Sequence, residues 1–142
     1  MEKIFKFVKN HRIGFIAVLI GIAVLGVGVM VATQPMRDQA YMNEIVTGSQ
    51  GRELIEARLR HTDKNALTSS GKIKSYKILE DTIKHDPMGG IFVRIEFNND
   101  PDNNVTMHFS KDNSKGELMV YEQSLSAKAY KMYQELGAYT GK

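Results

Sequence analysis

The stretch Ile13–Ala32, IGFIAVLIGIAVLGVGVMVA, carries no charged and no strongly polar side chain. At about 1.5 Å of rise per residue, a helix of this length reaches roughly 30 Å, the thickness of a bilayer's hydrocarbon core. Inside lipid the backbone must satisfy its own hydrogen bonds, and a single segment does so only as a helix. The run therefore predicts one transmembrane helix. It divides the chain into a flank at 1–12, the helix at 13–32 and a polar remainder at 33–142.

Charge gives the run a direction. The chain holds 19 basic and 16 acidic residues, a net charge of +3. Lys3, Lys6, Lys9 and Arg12 against Glu2 account for all of it, leaving fifteen of each sign beyond the flank. Basic residues beside a first membrane segment are retained on the cytoplasmic side, so the expectation is a cytoplasmic amino terminus and an extracytoplasmic domain at the cell membrane. A neutral domain offers no electrostatic reason to expect nucleic acid as a partner.

A cleaved signal peptide shares the basic start, but its apolar core is shorter and ends in a small-x-small site. The best cut here, after Ala32, puts Met30 where a small residue is wanted. An uncleaved anchor is the better reading. The absence of cysteine excludes disulfides, thiolate zinc sites and a cysteine nucleophile, so the domain must hold together by packing.

Beyond Pro35, apolar positions recur at helical spacing from Met36 to His61: Tyr41, Ile45, Gly48, Ile55 and Leu59, widened by Met42, Val46 and Leu54. Thr47–Gly51 interrupts the stripe. It is either a break, with Thr47 as N-cap and Gln50 closing a capping box, or a glycine-tolerant stretch of one helix; a bend is favoured. After a loop at Thr62–Gly71 the period changes to two. Lys72–Ile83 predicts a strand with a bulge or kink near Leu79, and Ile91–Phe97 a strand with Ile91, Val93, Ile95 and Phe97 facing in. Asn98–Asn104 reads as a loop, Val105, Met107 and Phe109 as the inward face of a third strand, and Glu117–Gln123 as a fourth. Ser124 caps a last helix that Gly137 ends.

The expected fold is α+β: the transmembrane helix, then a helix, a four-stranded antiparallel meander and a C-terminal helix, with the helices covering one face of the sheet. A cystatin-like arrangement of helix on curved sheet is compatible with this order.

No constellation stands out as a catalytic or metal centre. Asp100, Asp102 and Asn104 begin like a calcium loop, but Val105 and Lys111 occupy the places of its glycine and bidentate glutamate, and ordinary turn chemistry accounts for these residues. His61, His85 and His108 lie in different elements, and His108 alternates outward, which predicts a surface histidine. No nucleophile elbow, phosphate loop or HExxH pattern is present, and no cofactor is expected. The most distinctive short stretch is His85-Asp-Pro-Met-Gly-Gly90, a turn in which Asp-Pro initiates and the glycines supply positive φ. Its His85, Asp86 and Met88 are the candidate contacts for a partner.

The strings ALTSSGKIKSYKI at 66–78 and HDPMGGI at 85–91 resemble a family of small, membrane-anchored Gram-positive bacterial proteins known as domain of unknown function 1310. The family pattern has an amino-terminal anchor, a helix, a GKIKSYKI strand and a His-Asn-Pro-Met-Gly-Gly turn. This chain departs from it at Asp86, where asparagine is expected. The resemblance spans 42–114 and implies a bacterial envelope location; it brings no activity, cofactor or catalytic residue.

The functional expectation is a non-enzymatic, membrane-tethered module that binds a protein, peptide or envelope component. Two alternatives accompany it: a small envelope hydrolase or metal-dependent enzyme using His85, Asp86 or the Asp100 loop, and an immunity or inhibitor protein. Convergence of His85 and Asp86 with Asp100, Asp102 or Asp112 in one pocket is the feature that would favour the enzyme.

Overall fold

The computed structural model describes residues 38–111 and 115–138. The flank at 1–12, the run at 13–32 and Asp112 lie outside them. The chain divides into two units, Met1–Asp38 and Gln39–Lys142, and the second contains the whole sheet. Among the described residues no helix is long and apolar enough to cross a membrane.

Helix α1 occupies 38–47 and α2 Ser49–Thr62, with Gly48 between them in extended geometry (φ −66°, ψ 171°). The expected bend is there, but the capping box is not. Thr47 turns its hydroxyl back onto the Asn43 carbonyl at 2.7 Å, and Gly48 takes the N-cap position of α2, which has no side-chain cap. The buried stripe runs through Met42, Val46, Gly51, Ile55 and Leu59, which leaves Tyr41 on the exposed side.

Four strands follow: β1 Tyr76–His85, β2 Ile91–Phe97, β3 Asp100–Lys111 and β4 Leu118–Leu125. They form one antiparallel meander in sequence order, so β1 and β4 are its edges. The register of β1 on β2 breaks between Leu79 and Lys84, where the sequence predicts a bulge. Strand β2 alternates strictly, with Ile91, Val93, Ile95 and Phe97 buried, and Val105, Met107 and Phe109 bury the matching face of β3. Helix α3, Ala127–Glu135, adds Ala129, Met132 and Tyr133 to the same core, and the Phe97 and Tyr133 rings stack at 6.3 Å.

Three expectations shift. The segment at 98–104 is not a loop: Asn98 and Asn99 take positive φ (56° and 53°), the pair of left-handed residues a tight hairpin turn requires, and β3 begins at Asp100. The surplus residues up to Asn104 are taken up in β3, because Phe97 pairs with Asp100 but Glu96 with Asn104. The cap of α3 is Ser126 rather than Ser124; its hydroxyl accepts from Ala129 N at 3.1 Å. Lys72–Ser75 is not strand. Side chains hold it instead: the buried Asp63 carboxylate accepts from Lys72 N (2.8 Å) and Ile73 N (3.0 Å), and Asn98 Oδ1 accepts from Lys74 N (2.7 Å).

Candidate functional site

The β1–β2 connection is built from the turn residues the sequence singles out. Asp86 closes it three ways: its N–H donates to Gly90 O (3.0 Å), its carbonyl accepts from Gly89 N (2.9 Å), and its Oδ1 accepts from Met88 N (2.9 Å). Gly89 and Gly90 both have positive φ (104° and 99°). A loop bonded in this way presents Met88 at its tip, 96% exposed, with His85 exposed at its base.

Beneath the turn lies His108 of β3, which is buried, at 4% exposure, and not a surface histidine. The alternation of β3 does place it on the sheet's outer face, but the turn roofs that face at this point. Nε2 is 3.1 Å from Asp86 Oδ2 and 3.0 Å from Gly89 O. Both are acceptors, so Nε2 carries the hydrogen, and among the described residues Nδ1 is buried without a hydrogen-bond partner. The ring sits between Phe92 (4.8 Å) and Tyr121 (5.0 Å), its neighbours on the adjacent strands. Gly90 is the residue this arrangement demands. A β-carbon there would collide with Phe109 O and come within 2.6 Å of the imidazole. The Asp86–His108 pair thus ties the turn down onto β3.

The other sequence candidates lie elsewhere. Asp100 pairs with Lys128 and accepts from Asp102 N at 3.1 Å. The Lys128 hydrogen bond holds the Asp100 carboxyl below its ordinary range, and the same bond raises Lys128. Asp100 pairs with Phe97 and His85 with Ile91, so the two candidate loops stand at opposite ends of β2, about 20 Å apart at strand rise. Among the described residues no group of three or more acidic or histidine side chains is placed to hold a metal.

Two clefts flank the seam where α2 runs beside β4. One, of about 750 Å³, is lined by Arg58, His61, Thr62, Glu122 and Tyr133. Within it Arg58 pairs with the largely buried Glu122, and Thr62 Oγ1 approaches the same carboxylate at 3.4 Å. The other, of about 580 Å³, lies between Tyr41, Ile45 and Gln50 and the start of β4 at Leu118. Neither cleft is signalled by a motif. Helix α2 reads only as an amphipathic helix with a charged face, and its pairing with β4 spans more than sixty residues of sequence.

The family model described as "Protein of unknown function (DUF1310)" matches residues 13–132, a longer span than the two strings alone suggest. No curated protein and no solved structure matches the chain.

Proposed function

The chain belongs to the DUF1310 family of proteins of unknown function, and from that premise we propose that it is a non-enzymatic interaction module tethered to the outer face of a Gram-positive cell membrane. The uncharged run Ile13–Ala32 behind a basic flank carries the reading. The domain's helix-on-sheet order is in keeping with a cystatin-like scaffold.

Contact with a partner is assigned to the His85–Gly90 turn. Asp86 and His108 fix its backbone, so little loop entropy is lost when Met88 is covered. An interaction role also suits the state of the ionisable groups: Asp86, Glu122, Asp100 and Glu135 are each engaged by a cation or a histidine of the chain itself.

The test is protease accessibility. Added to intact cells or spheroplasts, protease is expected to remove the domain and leave an anchored amino-terminal fragment. Full protection of the domain would overturn the orientation. Photo-cross-linking from position 88 on intact cells then tests the interaction role.

A further inference from the structure

The Met88 turn lies close to the start of the domain. Gln39, in the first turn of α1, donates from its side-chain amide to Ile83 O at 3.1 Å and to Asn43 Oδ1 at 2.9 Å. Ile83 precedes His85 by two residues, about 7 Å at strand rise, and Met88 by five. Five residues, 33–37, separate the apolar run at 13–32 from Asp38. Fully extended, such a tether reaches about 20 Å. A domain anchored by that run works within this distance of lipid, and the part of the domain beside the tether includes the turn.

The tip of the turn has the composition of a shallow lipid contact. Pro87 and Met88 are exposed, and a β-carbon on the neighbouring Gly89 would meet nothing within 4 Å, so the approach is open. Lys84 and His85 are exposed at the base. The carboxylate of the turn, Asp86, is occupied by Met88 N and by His108. On β1 the nearest exposed carboxylate is Asp81, four residues back from His85. The opposite end of the sheet has the reverse character, with Asp100 and Asp102 beside the β2–β3 turn. An apolar tip flanked by Lys84 and His85 suits an interface of acyl chains and anionic headgroups.

We propose that the surface covering Met88 is the lipid headgroup layer of the membrane that anchors the chain, with Lys84 beside its phosphates. This contact rests on the anchored reading above and names what the turn touches. Pro87 and Met88 by themselves are too small a patch for a stable protein interface, which buries about 800 Å² on each side. One methionine also binds lipid weakly. A short tether, however, makes the contact intramolecular, and a weak contact then suffices. The bonds that fix the turn keep Met88 presented, so the side chain alone is ordered when lipid covers it.

The test uses the full chain, which has no cysteine of its own, reconstituted in vesicles of phosphatidylcholine and phosphatidylglycerol. His85→Cys, and Asp102→Cys as the reference at the opposite end of the sheet, each carry a single thiol-linked fluorophore. With iodide on both sides of the vesicle, the label at 85 is expected to be shielded severalfold and to be quenched by spin-labelled lipid. The label at 102 is expected to show the reverse. Adding Met88→Asp to the His85→Cys chain is expected to abolish the shielding with an unchanged melting temperature, because Met88 is exposed. Equal iodide access at 85 and 102, or shielding that survives Met88→Asp, overturns the lipid contact and leaves the anchored module standing. Photo-cross-linking from position 88 on intact cells that captures protein and no lipid does the same. A chain that fails to float with the vesicles overturns the anchor itself, and this contact with it.

Discussion

His108 Nε2 donates to the Asp86 carboxylate across 3.1 Å, tying the middle of β3 to the turn between β1 and β2. The relationship gives the Asp86 carboxylate a role in holding the turn. Residue 86 accepts twice, from Met88 N on Oδ1 and from His108 on Oδ2. Asparagine has a single acceptor oxygen, and its amide would face the imidazole N–H. Asp86→Asn is therefore expected to lower stability by about 1–2 kcal/mol, and Asp86→Ala by more, in thermal unfolding of the detergent-solubilised chain. An unchanged melting temperature for both variants would mean that the turn is held by its backbone alone.

The two glycines of the turn separate strain from collision. Both have positive φ, but a β-carbon at Gly89 meets nothing within 4 Å, whereas one at Gly90 meets Phe109 O and the His108 ring. Gly89→Ala is expected to cost about 1 kcal/mol, from backbone strain only. Gly90→Ala is expected to cost roughly 3 kcal/mol or more, because main chain and a buried ring would both have to move. Equal losses from the two substitutions would contradict the packing of the turn on His108.

Asp63 is the second buried anchor. Its carboxylate accepts from Asn65, Lys72 and Ile73 N–H groups and so gathers the connection between α2 and β1. Removing it leaves buried donors unpaired. Asp63→Ala is expected to destabilise by about 3 kcal/mol and to speed amide exchange first at Lys72 and Ile73. Exchange that speeds evenly over the whole domain would show that the connection is not an independent unit.

The legible and the hidden parts of the fold differ in whether a residue's neighbours are local. Strand β2 is legible because one of its faces is buried, and strict alternation from Ile91 to Phe97 has a single interpretation. The same rule places His108 on the outer face but says nothing of what covers that face, since the cover is a turn two strands earlier in the meander. Asp63 is invisible for a similar reason: it sits among ordinary loop residues, and its partners lie nine and ten residues on. The polar string at 98–104 misleads by composition, because two asparagines suffice for the turn and the rest pairs as strand. Of the candidate contacts, His85, Asp86 and Met88 are recognisable as a turn, while the histidine that organises them emerges only with the register of β3.

Tyr76 carries the clearest alkaline dependence. Its hydroxyl donates to Glu56 Oε1 at 3.0 Å, linking β1 to α2. Burial raises its pKa above the ordinary 10.0, the hydrogen bond and charge of Glu56 add to the rise, and Arg52 opposes it. A raised pKa favours the neutral form in the folded state. The resulting stability is fully present below pH 10 and is lost as pH rises through the folded value. Tyr76→Phe is expected to cost about 0.5–1.5 kcal/mol at neutral pH and to flatten the stability profile above pH 10. A variant whose alkaline loss equals that of the parent would assign the dependence to other groups.

Gly51 offers a test in which two principles predict opposite signs. It lies within α2, at a position where alanine is ordinarily favoured over glycine by about 0.8–1.0 kcal/mol. If the bend at Gly48 were only a local relaxation of one helix, Gly51→Ala would stabilise the chain. The bend, however, folds the last turn of α1 back against α2. A β-carbon on Gly51 would clash with the carbonyl oxygen of Ile45 and lie 2.8 Å from the carbonyl carbon of Val46. These are backbone atoms, and Val46 is fully buried in the core, so they cannot yield without displacing α1. Gly51→Ala is therefore expected to destabilise by roughly 2–3 kcal/mol, with the loss seen as faster exchange in α1 as well as α2. A gain in stability would show that the two helices separate at little cost.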